Sequence, residues 1–296
     1  MNNSIYGGII GDMVGSIYEW RPCLKDKVNT FPFWSGKRYQ PFTHPANRKG
    51  SKYTDDTVTG ICFMKALLEI KDFNDESEVK ETFKRILREI CPLHEWTGFG
   101  SRFWIWVTAP EGNANQKPYN SWGNGSAMRV FPIGLYFDTL EETQKIARWS
   151  AEITHNHEKG VAGAVSVASA MFLARQGKSK EEIKEYITKE FGYDLNRDLN
   201  EIRKTYGFDV SCQGSVPESI MCFLEGNSFE ECVRLAVSLG GDADTMGCIT
   251  GSMAACMYQI PDIHYKEAYW RLPKEFRKII KEFNSKCFQN KSANVK

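Results

Sequence analysis

The chain has 296 residues, 42% of them apolar and 25% charged, with a formal net charge of +1. A chain of this length buries about three quarters of its unfolded surface on folding and needs no disulfide staples. The near-zero net charge speaks against a basic nucleic-acid groove or a polybasic membrane anchor. Nine cysteines are scattered without a CxxC pair, the pattern of buried, reduced thiols in a cytoplasmic protein. The opening MNNSIYGGIIGD has neither the basic region nor the apolar core of a signal peptide.

In chain order, GGIIGDMVGSIYEW (7–20) spaces Gly8, Gly11 and Gly15 as a tightly packed helix would. Asp12 and Glu19, seven apart, fall on one face of such a helix. Residues 21–52, rich in Pro, Gly, Phe and Lys, read as irregular. YTDDTVTGICFMKALLEI (53–70) reads as a helix that begins at an Asp/Thr cluster and continues as a buried apolar body. ESEVKETFKRILREI (76–90) places Val79, Phe83, Ile86, Leu87 and Ile90 on one face. Residues 92–124 read as a second long irregular stretch, of the kind that forms lids or binding loops. Within it FWIWV (103–107) is either a strand or a buried helical turn. GFGSR (98–102) and GNGSAMR (123–129) are turns whose backbone N–H groups could cradle a phosphate, or plain loop turns.

THNH (154–157) holds two of the five histidines, for contact with a ligand or as satisfied core imidazoles. Residues 160–174 read as a helix buried on all sides, too short and too rich in small residues to span a bilayer. SKEEIKEYITKEF (179–191) opens with the capping-box pair Ser179 and Glu182, and SFEECVRLAVSL (228–239) repeats the spacing with Ser228 and Glu231. DLNRDLNEIRKTY (194–206) lines up Leu195, Leu199, Ile202 and Tyr206. GGDADTMGCITGSMAACMYQI (240–260) repeats the design of 53–70: a break, a carboxylate and threonine cluster, then an apolar helix. PKEFRKIIKEF (273–283) sets Pro273 at a helix start. The chain is expected to be all-α, as one domain over 1–296.

The two clusters, about 185 residues apart, raise a question of chemistry. Asp and Thr cap helices well, but a cap needs only one of them, and a second carboxylate adds repulsion. Close carboxylates become tolerable around a divalent cation, and an oxygen-only donor set selects Mg²⁺ or Mn²⁺ over zinc. Metal binding and simple capping both account for the spacing.

Taken together, GDMVGSIYE, YTDDT, GNGSAMR, THNH and GGDADT resemble, in order and rough spacing, the ADP-ribosylglycohydrolase family over nearly the whole chain. SCQGSVPESIMCFLE (211–225) is similar to its bacterial branch, whereas Phe99 and Ser101 stand where bacterial relatives often carry Tyr and Gly. The resemblance implies an all-α orthogonal bundle with two Mg²⁺ or Mn²⁺ ions in a cleft. Thr54, Asp55, Asp56, Asp242, Asp244 and Thr245 would ligate the metals. Glu19 would be a mobile acid beside them, and Asp12 a positioning group. Glu19 or Asp56 would orient the attacking water or take its proton. Gly98, Phe99, Gly100, Asn124, Gly125, Ser126, Met128 and His155 would line the ADP-ribose cleft. The implied reaction releases ADP-ribose from an ADP-ribosylated protein or a small conjugate, with no membrane or nucleic-acid partner. A non-catalytic ADP-ribose binding module and a Mg²⁺-dependent hydrolase of nucleotide anhydrides are the alternatives on the same fold.

Overall fold

The computed structural model describes residues 3–19, 27–36 and 50–293. Among them are fourteen α-helices and no strand, only an isolated bridge between Gly123 and Ser211. The helices are α1 (Tyr6–Gly15), α2 (Asp55–Glu69), α3 (Glu76–Ile90), α4 (Ser101–Thr108) and α5 (Phe131–Tyr136). Then come α6 (Leu140–Glu152), α7 (Glu158–Arg175), α8 (Lys180–Phe191), α9 (Leu199–Thr205) and α10 (Cys212–Glu225). The last four are α11 (Phe229–Leu239), α12 (Ala243–Met257), α13 (Asp262–Arg271) and α14 (Lys274–Ala293). None is long and apolar enough to cross a membrane.

The centre of the bundle is α1 against α12. Every residue of α1 is buried. The two helices run antiparallel with their backbones in contact: a Cβ on Gly7, Gly11 or Gly15 would collide with the carbonyl of Gly251, Gly247 or Ala243. From the other side, a Cβ on Gly247 would lie 2.5 Å from the Gly11 carbonyl oxygen. The contact row is thus Gly7, Gly11 and Gly15; Gly8 faces Ser252 and Phe131 instead. Such a close approach puts Asp12, the neighbour of Gly11, beside the first turn of α12.

Capping sets several of the other helix starts. Asp75 accepts from the N–H groups of Ser77 and Glu78 at α3, and Ser179 with Glu182 closes the expected capping box at α8. Ser228 caps α11 through the Glu231 N–H. Helix α7 is buried along most of its length, as its composition implies.

Three expectations change. Residues 92–124 are not one irregular stretch: a 3₁₀ segment at Cys91–Thr97, then α4, then a 3₁₀ turn at Ala114–Gln116 occupy much of it. FWIWV is helical, within α4. Arg88 of α3 donates to the carbonyls of Trp106 and Ala109 at the C-terminal end of α4, groups that a free helix leaves unpaired. Leu195 precedes α9 rather than belonging to it, because Asp198 caps the helix through the Asn200 N–H, 2.7 Å away. Finally, α1 ends at Gly15, so Glu19 lies in the turn beyond it and not on a shared helix face with Asp12. Much of 21–52, with Cys23, falls outside the described residues; the eight described cysteines are all free thiols.

Candidate metal centre and cleft

The first turns of α2 and α12 meet at the floor of a cleft of about 450 Å³. Gly240 and Gly241 lead into α12 at φ of +81° and +73°, a left-handed path that suits glycine, and they turn Asp242 into the cleft. Neither N-cap residue caps its own helix, although Asp244 Oδ1 accepts from the Thr245 N–H at 3.0 Å. Thr54 and Asp242 hold the N-cap positions of α2 and α12 without a side-chain cap bond.

Helix α2 is capped instead from α1. The Asp12 carboxylate, wholly buried, accepts from the backbone N–H of Thr54 (3.0 Å) and of Thr57 (3.1 Å). It also accepts from the Thr54 hydroxyl (2.7 Å) and from the Thr57 hydroxyl. Four donors leave Asp12 little capacity for anything else.

That arrangement leaves the carboxylates of α2 and α12 short of protons. The single proton of the Thr54 hydroxyl goes to Asp12, so its 3.2 Å approach to Asp56 Oδ2 sets a lone pair against a carboxylate. Thr245 Oγ1 reaches the same oxygen at 3.4 Å. Asp56 Oδ1 is buried with no hydrogen-bond partner among the described residues. Carboxylate oxygens of Asp12, Asp56 and Asp244 lie within 4.8 Å of one another, and so do those of Glu19, Asp242 and Asp244. Asp242 is steadied by the Asn124 side-chain amide, which donates to Oδ2 at 2.7 Å.

The electrostatics follow from this crowding. Burial, then the charge of Asp244, holds Asp55, Asp56 and Asp242 well above the usual carboxylate range. The same two causes push Asp12 up to about 7, against the pull of its bonds from Thr54 and Thr57. An orphaned buried oxygen amid all-oxygen donors fits a hard divalent cation. Asp56, Asp244, Asp242 and Glu19 could hold one, with Thr245 at the margin.

Most of the residues singled out in the sequence come together here. Glu19, Asp55, Asp56, Asp242, Asp244 and Thr245 line the cleft, as do Gly98, Phe99, Gly100, Asn124, Gly125, Met128 and His155. Asp55 belongs to neither carboxylate trio. Thr54 is buried among the hydrogen bonds of Asp12 and Asp56 and does not line the cleft. Ser126 does not line it either; its buried hydroxyl donates to the Gly160 carbonyl at 2.7 Å. Phe99 lies against Phe103 and Trp104, at ring-centroid distances of 5.4 and 5.8 Å, and presents an aromatic wall.

Other lining residues had no part in the sequence argument. Arg129 closes the quoted GNGSAMR run, a usable signal. Tyr119, Phe208 and Val210 come from connecting segments, where nothing marks one apolar residue over another.

The ADP-ribosylglycohydrolase family model matches residues 2–293. Human ADP-ribosylhydrolase ARH3 is 26% identical over 313 aligned residues, covering 86% of this chain and 85% of that protein. The ADP-ribosyl-[dinitrogen reductase] glycohydrolase of Rhodospirillum rubrum is 26% identical over 240, covering 73% and 72%. A solved ADP-ribosylglycohydrolase-related protein complex superposes with a TM-score of 0.69 over 96% of both chains, at 24% identity, which shows a shared fold. With the match running from before α1 into the last helix, the chain belongs to the ADP-ribosylglycohydrolase family and is a glycohydrolase.

Proposed function

We propose that this cleft hydrolyses the glycosidic bond between ADP-ribose and an acceptor, an ADP-ribosylated protein side chain or a small conjugate, using two Mg²⁺ or Mn²⁺ ions. The observation that carries the metal dependence is the Asp56 carboxylate, buried with one oxygen unpartnered and the other held only by a long hydrogen bond of 3.4 Å from the Thr245 hydroxyl. The relatives named for ADP-ribosyl hydrolysis support the substrate class.

When bound, the cations supply Lewis acidity and neutralise the crowded carboxylates. Asp56, Asp242 and Asp244 are the principal ligands, with Asp55, Thr54 and Thr245 around them. Asp12 holds the start of α2 in place. Glu19, on the turn after α1, or Asp56 orients the attacking water and takes its proton. Positive charge that develops at the anomeric carbon faces this acidic floor, which stabilises an oxocarbenium-like transition state. The glycine-lined turns at Gly98–Gly100 and Gly123–Gly125 leave room for the diphosphate to approach backbone, and Phe99 offers a face on which a ring can stack.

A panel of arginine-, serine- and small-molecule-linked ADP-ribose substrates, each with and without chelator, tests the reading. Free ADP-ribose is expected from at least one, and only when divalent cation is present. Asp244→Ala should lower kcat/KM by about 10³-fold or more. Turnover undiminished in excess EDTA overturns the metal dependence, and AMP as product would indicate anhydride cleavage instead.

A further inference from the structure

Within the cleft wall lies a buried cation with no carboxylate partner among the described ion pairs. The Arg129 guanidinium is 1% exposed and sits over the rings of Phe63 and Phe103, 5.3 and 5.9 Å from their centroids. Its Nη2 donates to the Ser150 carbonyl at 3.1 Å, in the last turn of α6, where helix carbonyls are unpaired and the dipole favours a cation. The same nitrogen donates to the Thr154 hydroxyl at 2.7 Å. Thr154 Oγ1 in turn stands 2.7 Å from His155 Nδ1.

The donor role in this chain is fixed at its Arg129 end. A guanidinium only donates, so the Thr154 oxygen accepts from Arg129. The Thr154 proton remains to be placed, and among the described residues no carbonyl or carboxylate takes it. The Tyr119 hydroxyl also interacts with Thr154, and a phenol oxygen can either give its proton to the Thr154 oxygen or accept the Thr154 proton. With Tyr119 as the donor, the Thr154 proton goes to His155 Nδ1, and the neutral ring carries its own proton on Nε2.

We propose that Arg129 and Thr154 are positioning residues that fix His155 as the neutral Nε2–H tautomer, a hydrogen-bond donor to an oxygen of the bound nucleotide. Nε2 faces the glycine turn of the wall: a Cβ on Gly125 would lie 3.1 Å from it, and one on Gly123 3.6 Å. His155 is 5% exposed and lines the cleft, with its Nε2 making no hydrogen bond among the described residues. Burial, then the nearby Arg129 charge, holds its imidazole well below the usual range, in keeping with a ring that stays neutral. The wall can thus offer an uncharged, directed donor next to an acidic floor, where an imidazolium would be drawn to the carboxylates rather than to a ligand oxygen. The role for the nucleotide rests on the reading under Proposed function; the tautomer does not.

The test is ¹H–¹⁵N spectroscopy of the imidazole nitrogens in the full chain, with His155 assigned by loss of its signals in His155→Asn. Nδ1 should resonate as a bare nitrogen and Nε2 as N–H, and added ADP-ribose should shift the Nε2–H signal. In Thr154→Val, ADP-ribose binding by calorimetry should weaken about tenfold, the worth of one hydrogen bond. The Nδ1–H form should also appear, and Thr154→Ser should restore both properties. A proton on Nδ1 in the wild type overturns the proposal, and so does a Thr154→Val variant with unchanged tautomer and affinity. Should no ADP-ribosylated substrate be cleaved while the Nε2–H tautomer is observed, the hydrolase reading fails and the positioning chain stands.

Discussion

Removing divalent cation should expose the cost of the acidic floor as a pH-dependent loss of stability. In the metal-free protein, Asp12, Asp55, Asp56 and Asp242 all have folded-state pKa values raised above those of an unfolded chain. A carboxyl group raised in this way binds its proton more tightly in the folded state. Its stabilising contribution is complete below the unfolded value of about 3.9 and is lost as pH rises through the folded value. For Asp12 that folded value is about 7. Stability in EDTA should therefore fall steadily from pH 5 to pH 8.

A cation binds the ionised carboxylates, so its stabilisation should grow over the same interval. At a free concentration of 100 Kd the gain is about 2.7 kcal/mol. With an unfolding entropy of about 2.1 cal/mol/K per residue, 296 residues give about 0.6 kcal/mol/K, hence a rise in Tm of about 4–5 °C. Calorimetric melts at pH 5, 6, 7 and 8, in EDTA and in Mg²⁺ or Mn²⁺, measure both curves. If they superimpose at pH 8, or if the gap is widest at pH 5, the carboxylates do not form a cation site and the reasoning fails.

Two further perturbations separate the roles of neighbouring residues. Asp56→Asn should raise the metal-free Tm at pH 8 while abolishing turnover, because it removes a buried charge with an unpartnered oxygen. Asp12→Ala should instead lower stability by about 2 kcal/mol in the same buffer, since it uncaps α2; chemical denaturation resolves the opposite signs. Gly11→Ala forces a Cβ into the Gly247 backbone, which has no flexible end to yield, and should cost about 3 kcal/mol or more in a urea melt. A variant that melts like the wild type would mean that α1 and α12 are not in backbone contact.

How much the sequence could reveal depended on whether the signal was local. A carboxylate and threonine run ahead of an apolar helix is local, so the starts of α2 and α12 could be placed and their donor chemistry named. The gathering of the two clusters was also accessible, though only through the order of motifs along the whole chain. Other features depend on partners far away in sequence. The five residues of FWIWV are compatible with strand or helix, and the Arg88 side chain on the α4 carbonyls belongs to another element. Glu19 looked helical by spacing, yet α1 stops at Gly15 and the turn beyond brings the carboxylate to the cleft. Arg129 and Thr154 lie in the GNGSAMR and THNH motifs, but a chain of hydrogen bonds linking arginine, hydroxyl and imidazole has no one-dimensional signature. Phe208 and Val210 line the cleft as exposed apolar side chains of a connecting segment, where composition gives no warning.

The placement of Asp12 explains why these carboxylates remain open for a ligand. An Asp at a helix start ordinarily spends an oxygen on its own helix's N–H groups. Here a carboxylate from α1 performs that duty for α2, so that Asp55 and Asp56 need not. The capping carboxylate is one residue from Gly11, whose backbone rests on Gly247, one turn into α12. Cap, helix start and second cluster therefore form one rigid unit, in which the Gly11–Gly247 contact sets the separation of Asp56 from Asp244. Both of those carboxylates approach within 4.8 Å, and a shift of about 1 Å is enough to spoil a preorganised catalytic geometry. Glycines in the interior of two helices carry a cost in backbone entropy, and no bulkier residue would let the two acidic helix starts come this close.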